Sequence, residues 1–157
     1  MKKKTLKIIL YILVELIILS PFILYLGIFV ANNSIANQVE KELKAYPLPD
    51  ETVLVESLSI AGKLTGNGNG MQYLGAILIT SDRSLYEIEE HYKSEFEYIE
   101  VLKQYSEKIE SISPYARGFN KFDAGSNETY YAVLCWGPLE EKNSSLSPLL
   151  DFDLRGH

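Results

Sequence analysis

Glu15 is the one charged side chain in a run of apolar residues from Ile8 to Ala31, and that setting limits its chemistry sharply. An ionised carboxylate in hydrocarbon costs several kcal/mol unless it is paired or protonated. One reading is a partner helix whose polar group meets Glu15. The other is a protonated or snorkelling glutamate in a simple anchor. Six residues on, Pro21 removes one backbone hydrogen bond and is expected to bend the helix. Glu15 and Pro21 are therefore the candidate residues for contact with another membrane protein.

Other reactive side chains offer less. Cys135 is the single cysteine, so the chain has no intramolecular disulfide. It sits in the strand-like run Tyr130–Trp136 and reads as a small buried hydrophobe. A nucleophilic thiol needs a base, and the spacing of His91 and His157 pairs neither with Cys135. Two scattered histidines and one cysteine do not make a zinc site. Asp151 and Asp153 lie near Glu140 and Glu141 in sequence, but the offsets and central glycine of a calcium loop are missing.

The run Gly66-Asn67-Gly68-Asn69-Gly70 could in principle cradle a phosphate with successive N–H groups. It lacks the Lys-Ser/Thr of a P-loop and the spacing G-x-G-x-x-G, and a strand follows it rather than a helix. A tight hairpin turn is the direct reading, since Asn-Gly steps tolerate positive φ. No G-x-S-x-G, H-E-x-x-H or S-x-x-K pattern occurs. No catalytic, cofactor-binding or metal residue is assigned, and no cofactor is expected. Glycosylation sequons begin at Asn32, Asn127 and Asn143.

The element that must hold Glu15 is a helix. At about 1.5 Å per residue, Ile8–Ala31 spans roughly 36 Å, enough to cross a ~30 Å hydrocarbon layer. Lys2, Lys3, Lys4 and Lys7 precede it, and no Lys or Arg lies between Asn32 and Glu40. That asymmetry puts the N-terminus in the cytoplasm and the C-terminal part outside the cell membrane. A cleaved signal peptide, with Ser34 and Ala36 before Asn37, is the competing reading. The apolar stretch exceeds the about 7–15 residues of such segments, which favours a retained anchor.

Beyond Ala31 the chain carries 11 basic and 20 acidic side chains, a net of −9. Such a domain is repelled by nucleic acid, so no nucleic-acid partner is expected. About 125 residues suffice for one compact domain. Of the chain's eleven tyrosines and six phenylalanines, nine and four lie in this part and argue against a disordered tail.

Asn33–Ala45 continues the membrane helix or forms a short stalk, ended by Pro47 and Pro49. Thr52–Leu64 reads as a strand with Leu54, Leu58, Ile60 and Leu64 on one parity and Glu56 as the exception; Ser57, Ser59 and Lys63 face the other way. Met71–Thr80 is apolar on both faces, as expected of an inner strand. Ser84–Phe96 is the clearest helix of the outer domain, with a capping box from Ser84 to Glu87 and a stripe of Leu85, Ile88, Tyr92 and Phe96. Residues 98–112 fit either period; a strand ending at Gln104 is preferred. Residues 113–127 read as a loop, Thr129–Trp136 as the last strong strand, and Leu139–His157 as a tail of weak periodicity.

The stretch Pro47–Tyr92 resembles uncharacterised single-pass membrane-anchored proteins of Gram-positive bacteria. The residues that carry this are Leu48-Pro49, the hairpin Gly62–Tyr73, and Ser81-Asp82-Arg83-Ser84-Leu85 leading into Tyr92. A strand followed by such a helix is also similar to small extracytoplasmic domains of bacterial lipoproteins. The resemblance implies an exported α+β domain and carries no activity. The lipoprotein cysteine is absent here, so a transmembrane helix would do the anchoring.

The expected fold is α+β: one N-terminal transmembrane helix, then a small antiparallel sheet with a packed helix, in the order β-β-α-β-β. The expected division is 1–7 cytoplasmic tail, 8–31 transmembrane helix, 32–50 stalk, 51–138 extracytoplasmic domain and 139–157 tail. The lipid bilayer is one expected partner and another membrane protein a second. The expected function is a non-catalytic binding or interaction module or accessory subunit. The alternative is an anchored hydrolase of envelope material, whose acid and base carboxylates would stand about 5–9.5 Å apart.

Overall fold

The computed structural model describes residues 2–64, 70–104, 114–123, 125, 127–137, 147–153 and 155. Its first element, α1, is a single unbroken helix, Lys2–Ala45. From Ile8 to Val30 nearly every large apolar side chain on it is exposed, a surface that only lipid can solvate. Among the described residues it is the one helix long and apolar enough to cross a membrane. The chain therefore has one N-terminal membrane-spanning helix followed by an extracytoplasmic α+β domain.

The character of α1 changes at its outer end. Ile28, Asn32, Ala36, Val39 and Leu43 are buried, and their spacing of three and four marks one face of a helix. That face packs on the sheet. Residues 32–45 thus continue the membrane helix, one of the two expected readings, and form the first core element of the domain instead of a solvated stalk. The physical reason is that a stalk needs solvent on all sides, whereas here one side is closed by protein. The bond between Ala36 and Asn37 lies mid-helix with Ala36 buried, so removing the residues before it would take Asn32 and Ala36 out of the core.

Four antiparallel strands follow: β1 (Thr52–Gly62), β2 (Gln72–Ser81), β3 (Ile99–Lys103) and β4 (Tyr130–Trp136), in the spatial order β1-β2-β4-β3. Between β2 and β3 lies helix α2 (Leu85–Lys93). Its N-cap is Ser84, whose hydroxyl accepts from the Glu87 N–H at 3.3 Å while the Glu87 carboxylate accepts from the Ser84 N–H at 2.9 Å, the expected capping box. The strand preferred over the helix for residues 98–104 is β3; Tyr105–Ser113 fall outside the described residues. So do the hairpin positions Thr65–Asn69.

The sheet separates two cores. On the helix side, Tyr73, Ile77 and Ile79 of β2 and Tyr131, Val133 and Cys135 of β4 meet Ala36, Val39 and Leu43 of α1 and Ile88 and Tyr92 of α2. On the far side, Leu74, Ala76 and Leu78 meet Tyr130, Ala132 and Leu134, covered by Tyr115, Phe119 and Phe122. The expected loop 113–127 therefore supplies the lid of the second core. A 3-10 turn, Pro114–Gly118, starts it. Tyr115 stacks edge-on with Trp136 and its hydroxyl donates to the Leu64 carbonyl at 3.1 Å.

Strand β1 departs from the expected parity. Leu54 pairs with Ile79 and Glu56 with Leu78, leaving Val55 as a bulge. One extra residue flips every later side chain to the other face. Leu54 thus packs on the helix side, whereas Leu58, Ile60 and Leu64 pack on the far side. Ser57 and Ser59 turn toward α1, where their hydroxyls donate to the Glu40 carboxylate and to Asn37 Oδ1.

Gly75 sits on the helix-facing side of β2, directly under α1. A Cβ there would stand 2.5 Å from the Glu40 nitrogen and 2.7 Å from the Val39 carbonyl carbon. Both are backbone atoms, so the helix itself would have to move. Overpacking of this kind costs about 1–3 kcal/mol or more. Gly75→Ala is expected to lower the thermal midpoint of the detergent-solubilised protein by several degrees, read by Trp136 fluorescence. Gly27→Ala, whose Cβ meets nothing within 4 Å, should leave it unchanged.

Candidate functional site

The densest buried polar network lies where α1 leaves the apolar run. Asn32, the first polar residue after it, is fully buried. Its Nδ2 donates to the Leu150 carbonyl at 3.1 Å and to Asp153 Oδ2 at 3.0 Å, and its Oδ1 accepts from the Tyr73 hydroxyl at 2.8 Å. Asp153 is equally buried and takes a bidentate pair of bonds from Arg155, Nε to Oδ1 and Nη2 to Oδ2. Arg155 also donates to Asn33 Oδ1 and lies over the Phe29 ring, 4.0 Å from its centroid. The Lys63 N–H donates to the Arg155 carbonyl, and the Met71 N–H to Asp151 Oδ1 at 2.6 Å. Helix, β-hairpin base and C-terminal segment are thereby clasped at one point. Burial also makes Asn32 unusable as a glycosylation sequon in the folded domain.

This clasp has an electrostatic signature. The Arg155 guanidinium bonded to Asp153 holds its carboxyl at about 2, well below the usual carboxylate range, with help from the Asn32 amide. Gly70, at φ +68, brings the chain back beside Asp151. Tyr73 and Arg155 carry no signal of this role in the sequence, and Asn32 and Asp153 appear there only as a sequon and as part of an incomplete calcium-loop pattern. The one available signal was Asn32 breaking the apolar run at a helical interval from Ile28.

Glu15 and Pro21 lie on the exposed, lipid-facing part of α1. They are not brought together: six residues along a helix turn about 240°, which puts them on different faces. Pro21 has no N–H for the Ile17 carbonyl, yet that carbonyl accepts from the Ser20 hydroxyl at 3.0 Å. The helix continues through the proline, and the gap in its ladder is filled from within. Glu15 shows no such local partner among the described residues.

The outer end of the domain holds a second polar group. Arg83 Nε donates to the Asp50 carbonyl at 2.8 Å, and the Tyr131 hydroxyl donates to the Arg83 carbonyl at 2.7 Å. Thr52 and Ser81 hydroxyls bond at 2.9 Å, and Glu51 is held at φ 59, a left-handed conformation uncommon outside glycine. Val53 and Tyr86 are exposed on the strand and helix that begin here. Tyr46, the residue after α1, packs on His91, Tyr92 and Phe96. The His91 ring donates from Nε2 to the Pro47 carbonyl at 2.8 Å.

Cys135 is buried, and burial pushes its thiol up to about 11, the state of an inert core residue. Several carboxylates serve as structural acceptors: Glu56 takes the N–H groups of Asn120 and Lys121 at 2.7 and 2.8 Å, Glu40 takes Ser57, and Asp151 takes Met71. Among the described residues no three of His, Cys, Asp and Glu gather as a metal site. Comparison of the chain with family models, curated proteins and solved structures finds no match.

Because the Asp153 carboxyl titrates lower folded than unfolded, its stabilisation is complete above about pH 4 and is lost as pH falls toward about 2. At neutral pH, Asp153→Asn is expected to cost about 2 kcal/mol. In denaturant titrations across pH 7 to 2, the gap between the parent and this variant should close through the acid window. A gap that stays constant would mean that the Asp153 charge contributes nothing.

Proposed function

We propose that this chain is a non-catalytic, membrane-anchored interaction module that serves as an accessory subunit, with its partner engaged inside the bilayer at Glu15. The observation that carries this is the position of Glu15, exposed on the lipid-facing part of α1, while the defect at Pro21 is closed by Ser20. A carboxyl at that depth is stabilised by a polar group on a second helix. The face it shares contains Tyr11, Ile12, Ile18 and Leu19, three and four residues away. The charge of −9 on the outer part favours a protein partner over nucleic acid. The same reading takes the chain as one of the bacterial single-pass type, on the resemblance of Pro47–Tyr92 alone.

A hydrolase with paired carboxylates is the less supported alternative. Asp151, Asp153, Glu40 and Glu56 are each engaged in holding the fold, which leaves fewer acids to act on a substrate.

A photo-crosslinking residue in place of Leu19 should capture a membrane protein in cells, and Glu15→Leu in the same chain should reduce that capture by an order of magnitude. Equal capture with and without the carboxylate would sink the subunit reading. Domain folding is the control, since Glu15 lies outside both cores.

A further inference from the structure

We propose that the C-terminal segment forms a second contact with the membrane, with Leu149 and Phe152 resting in the interfacial layer of the outer leaflet beside the exit of α1. The level of this segment is set by the clasp. Leu150 accepts from Asn32, the residue that ends the apolar run, and Arg155 lies on Phe29, a residue within it. Residues 149–153 and 155 therefore straddle the height at which the helix passes from hydrocarbon to water.

Its side chains are sorted in an unusual way. The two acids turn inward: Asp153 is fully buried on Asn32 and Arg155, and Asp151 caps the Met71 N–H. Two of its apolar side chains turn outward, Leu149 at 39% and Phe152 at 65% exposed, while Leu150 is half-buried. A segment facing water would show the opposite order. A turn, with the Phe152 N–H donating to the Leu149 carbonyl at 3.2 Å, brings both side chains to one side. The short helix α3 (Ser147–Leu150) precedes that turn. An aromatic side chain at this level suits the headgroup boundary, where apolar side chains enter about 5–10 Å. The occupant is lipid, because the segment is held against Phe29 and Asn32, where the lipid-facing run of α1 ends. The inference is independent of any partner at Glu15.

The test uses the full chain in vesicles of phosphatidylcholine and phosphatidylglycerol. Phe152→Cys and, separately, Leu149→Cys carry a nitroxide, with Val53→Cys, as exposed as Phe152, as a control at the start of β1. The native Cys135 is buried and escapes labelling. Contact with lipid gives labels at 149 and 152 a several-fold higher ratio of oxygen to nickel-chelate accessibility than the label at 53. A ratio equal to that at 53 would overturn the proposal. Shielding from both reagents would also overturn it, placing protein instead of lipid on this surface. Because two positions are labelled, failure of one variant to fold leaves the other to decide.

Discussion

One helix has to satisfy two solvents, and the structure depends on how that change is made. For its inner part α1 needs apolar groups on all sides, because lipid offers no hydrogen bonds. For its outer part it needs one apolar stripe and a solvated back. The change falls at Asn32, whose amide is buried at the boundary and fully engaged by Tyr73, Leu150 and Asp153. A buried amide without partners would cost free energy comparable to several lost contacts. With these partners it ties three distant parts of the chain to one helical turn.

The rest of the domain follows from letting that helix lie close to the sheet. Gly75 allows backbone to approach backbone, and Gly137 leaves room for the Val39 side chain. The bulge at Val55 then turns two serines toward α1 and three apolar residues toward the far core. A half-buried strand with polar groups on both of its sides would not settle in one register. Here the serines find acceptors on α1, and Glu56 finds two backbone donors, so both faces are satisfied.

Elements governed by a simple period were legible. The capping box at Ser84 and the two-faced character of β2 follow from spacing alone, whereas at Ile99 both periods fit and the preferred strand is the one that forms. The bulge was not, since a single inserted residue appears in a sequence only as Glu56 in an apolar slot. The stripe Ile28–Leu43 was hidden because it begins inside a run that is apolar all round and includes Asn32 and Ala36. The C-terminal segment was illegible for another reason. Hydrogen bonds from Asn32, Arg155 and Met71 hold it, and such bonds leave no periodicity. For the candidate site, Glu15 was conspicuous from the start, whereas the clasp emerges only once residues more than a hundred positions apart meet.

The strand at the sheet's margin has a consequence for neighbouring copies. As β1 advances from Ser57 to Ser59, its contacts on α1 step back from Glu40 to Asn37, so β1 runs back toward the bilayer. Joining two such margins head to tail requires a twofold axis at right angles to the strands. Copies anchored in one bilayer all point the same way, and a twofold relating them stands along the membrane normal. Antiparallel zippering of β1 is therefore closed to neighbours in the same membrane and open only to molecules facing each other across a gap.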